Sequence, residues 1–252
     1  MSEAPPHQIV TACVVIIGNE ILSGRTQDTN LNYIAKGLVE RGVRLREARV
    51  IPDVPAVIVD TINEMRAKYD YVFTTGGIGP THDDITAECI ASAFGVPLIL
   101  NPEARRILVE RYKTGELNEA RLRMARTPEG ASLVANPVSA APGFRMGNVY
   151  VMAGVPRIAQ AMFDGIKYEL TGGPPILSRT VNCNLPEGTI AKGLGEVQER
   201  HPDVDIGSYP TFSRGAPEVN IVLRGADSGR LDLAAEEVAA MVRAEGGNPV
   251  IS

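Results

Sequence analysis

The sequence predicts an α/β chain built on one largely parallel sheet, followed by a smaller α+β segment. Three observations carry that expectation. Apolar, β-branched runs alternate with stretches of helical periodicity, the turns leaving those runs are rich in glycine, and a Gly-Pro cluster at 171–175 breaks the pattern before a strand, helix, strand, strand, helix order.

The first element, Gln8 to Ile17, is a continuous apolar run of the kind buried on both faces of a parallel sheet. It empties into Gly18-Asn19-Glu20-Ile21-Leu22-Ser23-Gly24. A helix follows, capped by Asp28 or Thr29, with Leu31, Ile34, Ala35, Leu38 and Val39 on one face and Gly42 at its end. Residues 43–50 read as the next strand and Tyr71 to Thr75 as another, whose aromatic and β-branched residues suit a pleated, half-buried surface. A helix from Thr86 stops at Gly95, and residues 149–153 form a further strand that runs through Gly154 into a helix opened by Pro156. Such alternation makes a right-handed series of βα units. In these sheets ligands bind beyond the carboxyl ends of the strands, so 18–24, 76–84 and 154–156 are brought toward one crevice.

The run Thr74-Thr75-Gly76-Gly77-Ile78-Gly79-Pro80-Thr81-His82-Asp83-Asp84-Ile85-Thr86 is the most informative stretch. Three glycines remove the Cβ atoms that would hold a phosphate away from main-chain N–H groups, and the helix beginning at Thr86 adds its positive dipole end. No Walker-type GxxxxGK[ST] and no GxGxxG occurs, and none of the five lysines lies in this loop. Anion binding would rest on backbone donors, a helix terminus and a divalent ion held by Asp83 and Asp84, because hard cations prefer carboxylate oxygens. The plainer alternative is a tight turn whose aspartates cap the helix. His82 is either a proton carrier or metal ligand, or a loop histidine that only hydrogen-bonds.

These motifs, with Asp28-Thr29-Asn30, Ala141-Pro142-Gly143-Phe144 and Ala153-Gly154-Val155-Pro156, resemble the molybdopterin-binding (MoCF) domain in its competence/damage-inducible CinA subtype. The resemblance spans roughly the first two-thirds of the chain. It implies a three-layer α/β/α, MoaB-like fold over 1–172 that binds a nucleotide or pterin pyrophosphate, with metal-dependent hydrolysis of ADP-ribose or FAD as the activity. Adenylyl transfer to molybdopterin and a non-catalytic regulatory role are the alternatives. Asp83, Asp84 and Glu20 would hold a divalent ion such as magnesium, Glu20 completing its shell or accepting a proton. Gly76, Gly77 and Gly79 would donate backbone hydrogen bonds, and Ser23, Asn30, Thr75 and Thr81 would orient the ligand. Gly18, Asn19, Gly24, Pro80, Gly154 and Pro156 would complete the ligand-binding loops. The resemblance also implies a homo-oligomer.

Two departures stand out. Many relatives read Gly-Asp-Glu where this chain has Gly18-Asn19-Glu20, so a metal-ligating carboxylate is replaced by an uncharged amide. Full-length CinA proteins continue into a nicotinamide-mononucleotide deamidase domain, and no deamidase activity is expected of these 252 residues.

Composition narrows the class further. A net charge of −5 argues against nucleic acid or an anionic membrane as the main partner. Cys13, Cys89 and Cys183 show neither disulfide-framework nor zinc spacing, and no targeting or membrane-spanning segment is recognisable, which points to a cytoplasmic protein. Residues 173–252 read as a small βαββα domain similar to the KH-like appendage of CinA proteins, with strands at 177–185, 204–211 and 219–224 and helices at 188–200 and 231–245. Seven Lys and Arg against eleven Asp and Glu, and no GXXG loop, argue against RNA binding there. Between the third and last strands of the first domain, helices through Tyr112 and from Glu116 through Arg126 carry six arginines. They form either a solvated, salt-bridged surface or a lid over an anionic ligand.

Overall fold

The structure, a computed structural model, describes residues 9–112, 116–213 and 216–252, with the side chains of 211–217 left aside. Two compact units divide the chain, one running to Gly173 and the other spanning Pro174–Ser252. That division falls within one residue of the Gly-Pro boundary expected from the sequence.

The first unit begins β1 (Val10–Ile17), α1 (Asn19–Leu22), α2 (Asn30–Glu40), β2 (Val43–Ile51), α3 (Pro55–Lys68), β3 (Tyr71–Thr75) and α4 (Thr86–Phe94). It continues with β4 (Leu98–Leu100), α5 (Pro102–Arg111), α6 (Glu119–Arg123), β5 (Arg126–Pro128), β6 (Ser132–Val134), β7 (Gly143–Met146), β8 (Val149–Met152) and α7 (Pro156–Ile166). The main sheet has the order β2-β1-β3-β8-β7-β6. Successive residues of β1 serve opposite faces, as a strand's period of two requires. Cys13, Val15 and Ile17 pack with Ile58, Ile62 and Met65 of α3 and Ile90 of α4, whereas Ala12, Val14 and Ile16 pack with Ile34 and Leu38 of α2 and Phe163 of α7. The sheet is therefore the middle layer of three. Each fully buried aliphatic side chain contributes about 1.5–3 kcal/mol of transfer free energy.

β2, β1, β3 and β8 are mutually parallel, whereas β7 pairs antiparallel with both of its neighbours, β8 and β6. This hairpin edge departs from the expected succession of βα units. Its cause is the two-residue link Gly147-Asn148, where Gly147 takes φ +57, so β7 folds straight back onto β8 without a crossover helix. The insertion also differs from expectation. Glu116 lies in a turn, α6 starts only at Glu119 under an Asn118 cap, and Arg126 belongs to β5, which pairs antiparallel with β4. Thr127 precedes Pro128, and the clash of the proline ring with the preceding residue favours extended backbone there.

On the outer strand β2, Glu47 accepts hydrogen bonds from Lys68 Nζ at 2.8 Å and the Tyr69 hydroxyl at 2.6 Å, and pairs with Arg49. These donors, Lys68 foremost, hold its carboxyl down at about 2. The unfolded chain, titrating nearer 4.5, binds more protons in that window, so this contribution is complete above the unfolded value and is lost as pH falls toward the folded one. Glu47→Gln is therefore expected to cost stability near neutral pH, with the gap from the parent narrowing progressively toward about pH 2.5. Denaturant titrations at several pH values check this, and a pH-independent gap would contradict it.

The second unit contains β9 (Leu177–Cys183), α8 (Glu187–Arg200), β10 (Asp205–Ser213), β11 (Ala216–Gly225), α9 (Ser228–Ala244) and β12 (Val250–Ile251). Its antiparallel sheet has the order β10-β11-β9-β12. The expected βαββα series is present, and β12, too short to read from pattern, adds to it by pairing with β9. Leu231, Ala234, Ala235, Val238, Ala239 and Val242 of α9 form a buried stripe against Val181, Ile221 and Leu223. Among the described residues of the whole chain, no helix is long and apolar enough to cross a membrane.

Candidate functional site

A cleft of about 480 Å³ opens beyond the carboxyl ends of β1, β3 and β8. Its walls bring together Glu20 and Thr26 from the first loop, Gly76 to Pro80 with Asp84 from the second, and Ala153 to Pro156 from the third. The convergence expected from strand order is thus observed.

Each glycine of the central loop answers to a close approach. Gly76 takes φ +106, and a Cβ there would lie 2.0 Å from the Ile17 carbonyl oxygen. Gly77 takes φ +67, and its Cβ would meet the Thr86 hydroxyl at 2.2 Å. A Cβ on Gly79 would sit 2.6 Å from an Asp84 carboxylate oxygen, and one on Gly154 would lie 3.2 Å from Gly76 Cα. The loop is fastened to α4 by the Thr86 hydroxyl donating to Gly76 O at 3.0 Å and Thr86 N donating to Gly77 O at 2.9 Å. Among the described residues, the amides of Gly77, Ile78, Gly79, Gly154 and Val155 donate to no other protein group. Lining residues and free donors coincide on this wall. Gly76 is the exception, because its amide donates to Met152 O at 3.1 Å, so its part is conformational and not ligand donation.

The carboxylates are less tightly grouped than the sequence suggested. Asp84 lines the cleft, and its Oδ2 accepts from both the amide (2.8 Å) and the hydroxyl of Thr81. Thr81 thereby orients Asp84 and does not itself line the cleft. Asp83 is 67% exposed, 4.0 Å from the Nδ1 of His82, which is 95% exposed, and neither lines the cleft. Glu20 folds back so that its carboxylate occupies the space a side chain on Gly18 would need. Among the described residues no group of three or more His, Cys, Asp or Glu side chains is placed to hold one metal ion, so Glu20, Asp83 and Asp84 do not form the preassembled centre expected of them.

Other expected contacts resolve into supports. Asn30, 3% exposed, donates through Nδ2 to Gly154 O at 2.8 Å while its buried Oδ1 has no partner. Thr75 is 1% exposed beneath the loop with an unpartnered hydroxyl. Ser23 and Gly24 are exposed outside the cleft, and Gly18 N donates to Ile51 O at 3.1 Å. Asn19 also lies outside it, its backbone amide donating to Asp53 Oδ2 at 2.8 Å. The far wall is Met124, Asn136, Ser139 and Ala141. Only the proline-marked turns around 128 and 137 and the Ala141–Phe144 motif hinted at it in the sequence. Asn136 braces that wall, accepting from the amides of Val138 and Ser139 and donating to Ala141 O. Ala140 alone among described non-glycine residues takes a positive φ, +67.

Asn19→Asp is expected to leave divalent-metal titrations unchanged and to lower stability slightly, because it adds charge near Asp53, which accepts from the Asn19 amide. Calorimetric metal titration and thermal melting of both proteins check this; tighter metal binding would return position 19 to the site.

Residues 13–172 match the family described as "Probable molybdopterin binding domain", and residues 175–249 match "FAD synthase, middle domain". A CinA-like protein of Citrifermentans bemidjiense is 37% identical over 85% of this chain and 53% of its own length. A protein described as "Probable FAD synthase" in Caenorhabditis briggsae is 32% identical over 82% of this chain and 44% of its own. The chain thus spans about half the length of these two relatives. Among solved structures, the crystal structure of the protein CinA with unknown function from Thermoplasma acidophilum is similar at a TM-score of 0.60 and 32% identity, over 64% of this chain and 98% of that one. With its three-layer first unit, its cleft at the strand ends and a family match over most of its length, the chain belongs to the molybdopterin-binding (MoCF) domain family in its CinA-like form, followed by an FAD synthase middle domain.

Proposed function

We propose that the cleft binds the pyrophosphate of a nucleotide or pterin and that the protein is a metal-dependent pyrophosphatase acting on ADP-ribose or FAD. The observation that carries this reading is the coincidence, on one wall, of free amides at Gly77, Ile78, Gly79 and Gly154 with the carboxylates of Glu20 and Asp84. Backbone donors held in place before the ligand arrives stabilise phosphoryl charge without reorganising, and the α4 terminus reinforces them.

The donor set also suits one kind of metal site. Two carboxylates are too few to cage an ion, but magnesium is commonly held by one or two carboxylates together with substrate phosphates and water. Glu20 and Asp84 fit that arrangement. An ion held there would polarise a phosphoryl oxygen. Asp84 keeps its orientation through Thr81, Glu20 either completes the ion's shell or accepts the proton of the attacking water, and the glycine amides hold the phosphoryl oxygens in line. The absence of a three-ligand cluster among the described residues favours a second reading, a nucleotide- or pterin-binding regulatory protein without turnover. Adenylyl transfer to molybdopterin would use the same pyrophosphate geometry.

The second unit is KH-like in element order, yet its acidic balance and lack of GXXG support packing within a cytoplasmic homo-oligomer over binding nucleic acid or membrane. A thermal-shift series with ADP-ribose, FAD and a pterin phosphate, each with and without magnesium, followed by chromatography for released mononucleotide, tests the proposal. Stabilisation without product would support the regulatory reading, and no shift with any ligand would refute both.

A further inference from the structure

Three of the free amides on the cleft wall are governed by bonds made behind them. A trans peptide is planar, so the carbonyl of one residue and the N–H of the next point in opposite directions. No described peptide bond is cis. Whatever holds the carbonyl therefore sets the direction of the N–H.

Thr86 holds two such carbonyls. Its hydroxyl donates to Gly76 O at 3.0 Å and its amide donates to Gly77 O at 2.9 Å. Both carbonyls point back at this fully buried first residue of α4, so the N–H groups of Gly77 and Ile78 point away from it, and both residues line the cleft. Two successive N–H groups facing one way make a concavity suited to an anion. Gly77 permits this at φ +67, and a Cβ there would fall 2.2 Å from the hydroxyl that does the holding. The same hydroxyl caps nothing, since the N-cap of α4 is Ile85, which makes no side-chain bond.

Asn30 plays the corresponding part for the third loop. Its buried Nδ2 donates to Gly154 O at 2.8 Å, which turns the N–H of Val155, another lining residue, the opposite way. Among the described residues, the amides of Gly77, Ile78 and Val155 have no protein acceptor. Thr86 and Asn30 do not themselves line the cleft. Thr74 supplies a contrast, because it is as buried as Thr86 and lies two residues before Gly76, yet its hydroxyl has no partner.

We propose that Thr86 and Asn30 are positioning residues that fix three peptide planes, so that Gly77, Ile78 and Val155 present their N–H groups to the phosphoryl oxygens of the ligand. The use of those donors rests on the pyrophosphate reading of the cleft, whereas their aim is a property of the free protein. Donors aimed in advance stabilise charge without reorganising.

Residual dipolar couplings of the backbone N–H groups in the free protein, which report their direction, test the aim, and isothermal titration with inorganic pyrophosphate and magnesium tests its use. Thr86→Val removes only the hydroxyl bond, so the Gly77 coupling should change and pyrophosphate affinity should fall about tenfold. Thr86→Ser keeps the hydroxyl and should restore both. Asn30→Leu keeps the branching at Cγ but loses the donor, and should move the Val155 coupling while sparing that of Gly77. Thr74→Val makes the same change as Thr86→Val on an unbonded hydroxyl and should leave couplings and affinity within about twofold of the parent. Thermal midpoints well above the assay temperature establish that each variant is folded. Unchanged couplings at Gly77 in Thr86→Val and at Val155 in Asn30→Leu would overturn the proposal, even if affinity fell. So would an equal change at Gly77 in Thr74→Val. Couplings that respond as expected in a protein that binds no pyrophosphate would keep the aim and refute the pyrophosphate reading.

Discussion

Gly76→Ala is expected to destabilise the first unit by about 3 kcal/mol or more and to abolish ligand binding. Two costs add at this position. The backbone sits at φ +106, a region that side-chain-bearing residues rarely adopt, and the new Cβ would be driven to 2.0 Å from the carbonyl oxygen of Ile17. Neither can be relieved locally, because the obstacle is the end of the central strand β1 and Gly76 N is bonded to Met152 O of β8. For a unit of this size the loss corresponds to a fall of roughly 6–12 °C in thermal midpoint. Differential scanning calorimetry reads it directly. A midpoint within about 2 °C of the parent would mean that the loop accommodates a side chain and that glycine is present for another reason.

Asp84→Asn is expected to reduce hydrolysis of ADP-ribose or FAD by about a hundredfold or more at saturating magnesium, while leaving the thermal midpoint close to that of the parent. The substitution keeps the shape, and an asparagine oxygen can still accept from the amide and hydroxyl of Thr81, so the loop should hold. What disappears is the negative charge facing the cleft. Asp83→Asn serves as the comparison, since Asp83 lies on the same turn but points to solvent, and its activity should stay within about threefold of the parent. Equal activity in all three proteins would remove carboxylate chemistry from this loop. Equal losses would show that the turn as a whole matters and not the side chain facing the cleft.

Much of this arrangement was legible before the structure. β1 announces itself as a run of apolar residues interrupted only by Thr11 near its start, because a strand covered by helices on both faces has no solvent side. The central loop was legible because glycine at a strand-to-helix junction has few causes, and here the cause is steric at Gly76, Gly77 and Gly79. What sequence could not supply was side-chain direction. Asp83 and Asp84 are adjacent and chemically identical, yet one faces the cleft and the other solvent, a difference fixed by the turn geometry that lets Thr81 grip Asp84. Asn30 and Thr75 were read as ligand contacts because they are polar residues near glycine loops. Both are buried, where a polar side chain serves the protein interior first. The β6–β7 edge was missed for a different reason. Gly147-Asn148 is a hairpin signal, but strands of three and four residues carry too little alternation to be separated from loop.

The ties beneath the cleft have a kinetic consequence. Gly18 is bonded to the end of β2, Asn19 to Asp53, Gly77 to Thr86, and Gly154 to Asn30 near the start of α2. Each loop is thus clamped by an element other than the strand that leads into it. A rim braced in this way has few conformations to lose when a ligand arrives, so association should be limited by diffusion and orientation and not by a slow closing step. Observed rates in stopped-flow mixing would then rise in proportion to ligand concentration without reaching a plateau. Selectivity among ligands would reside in how fast each one leaves.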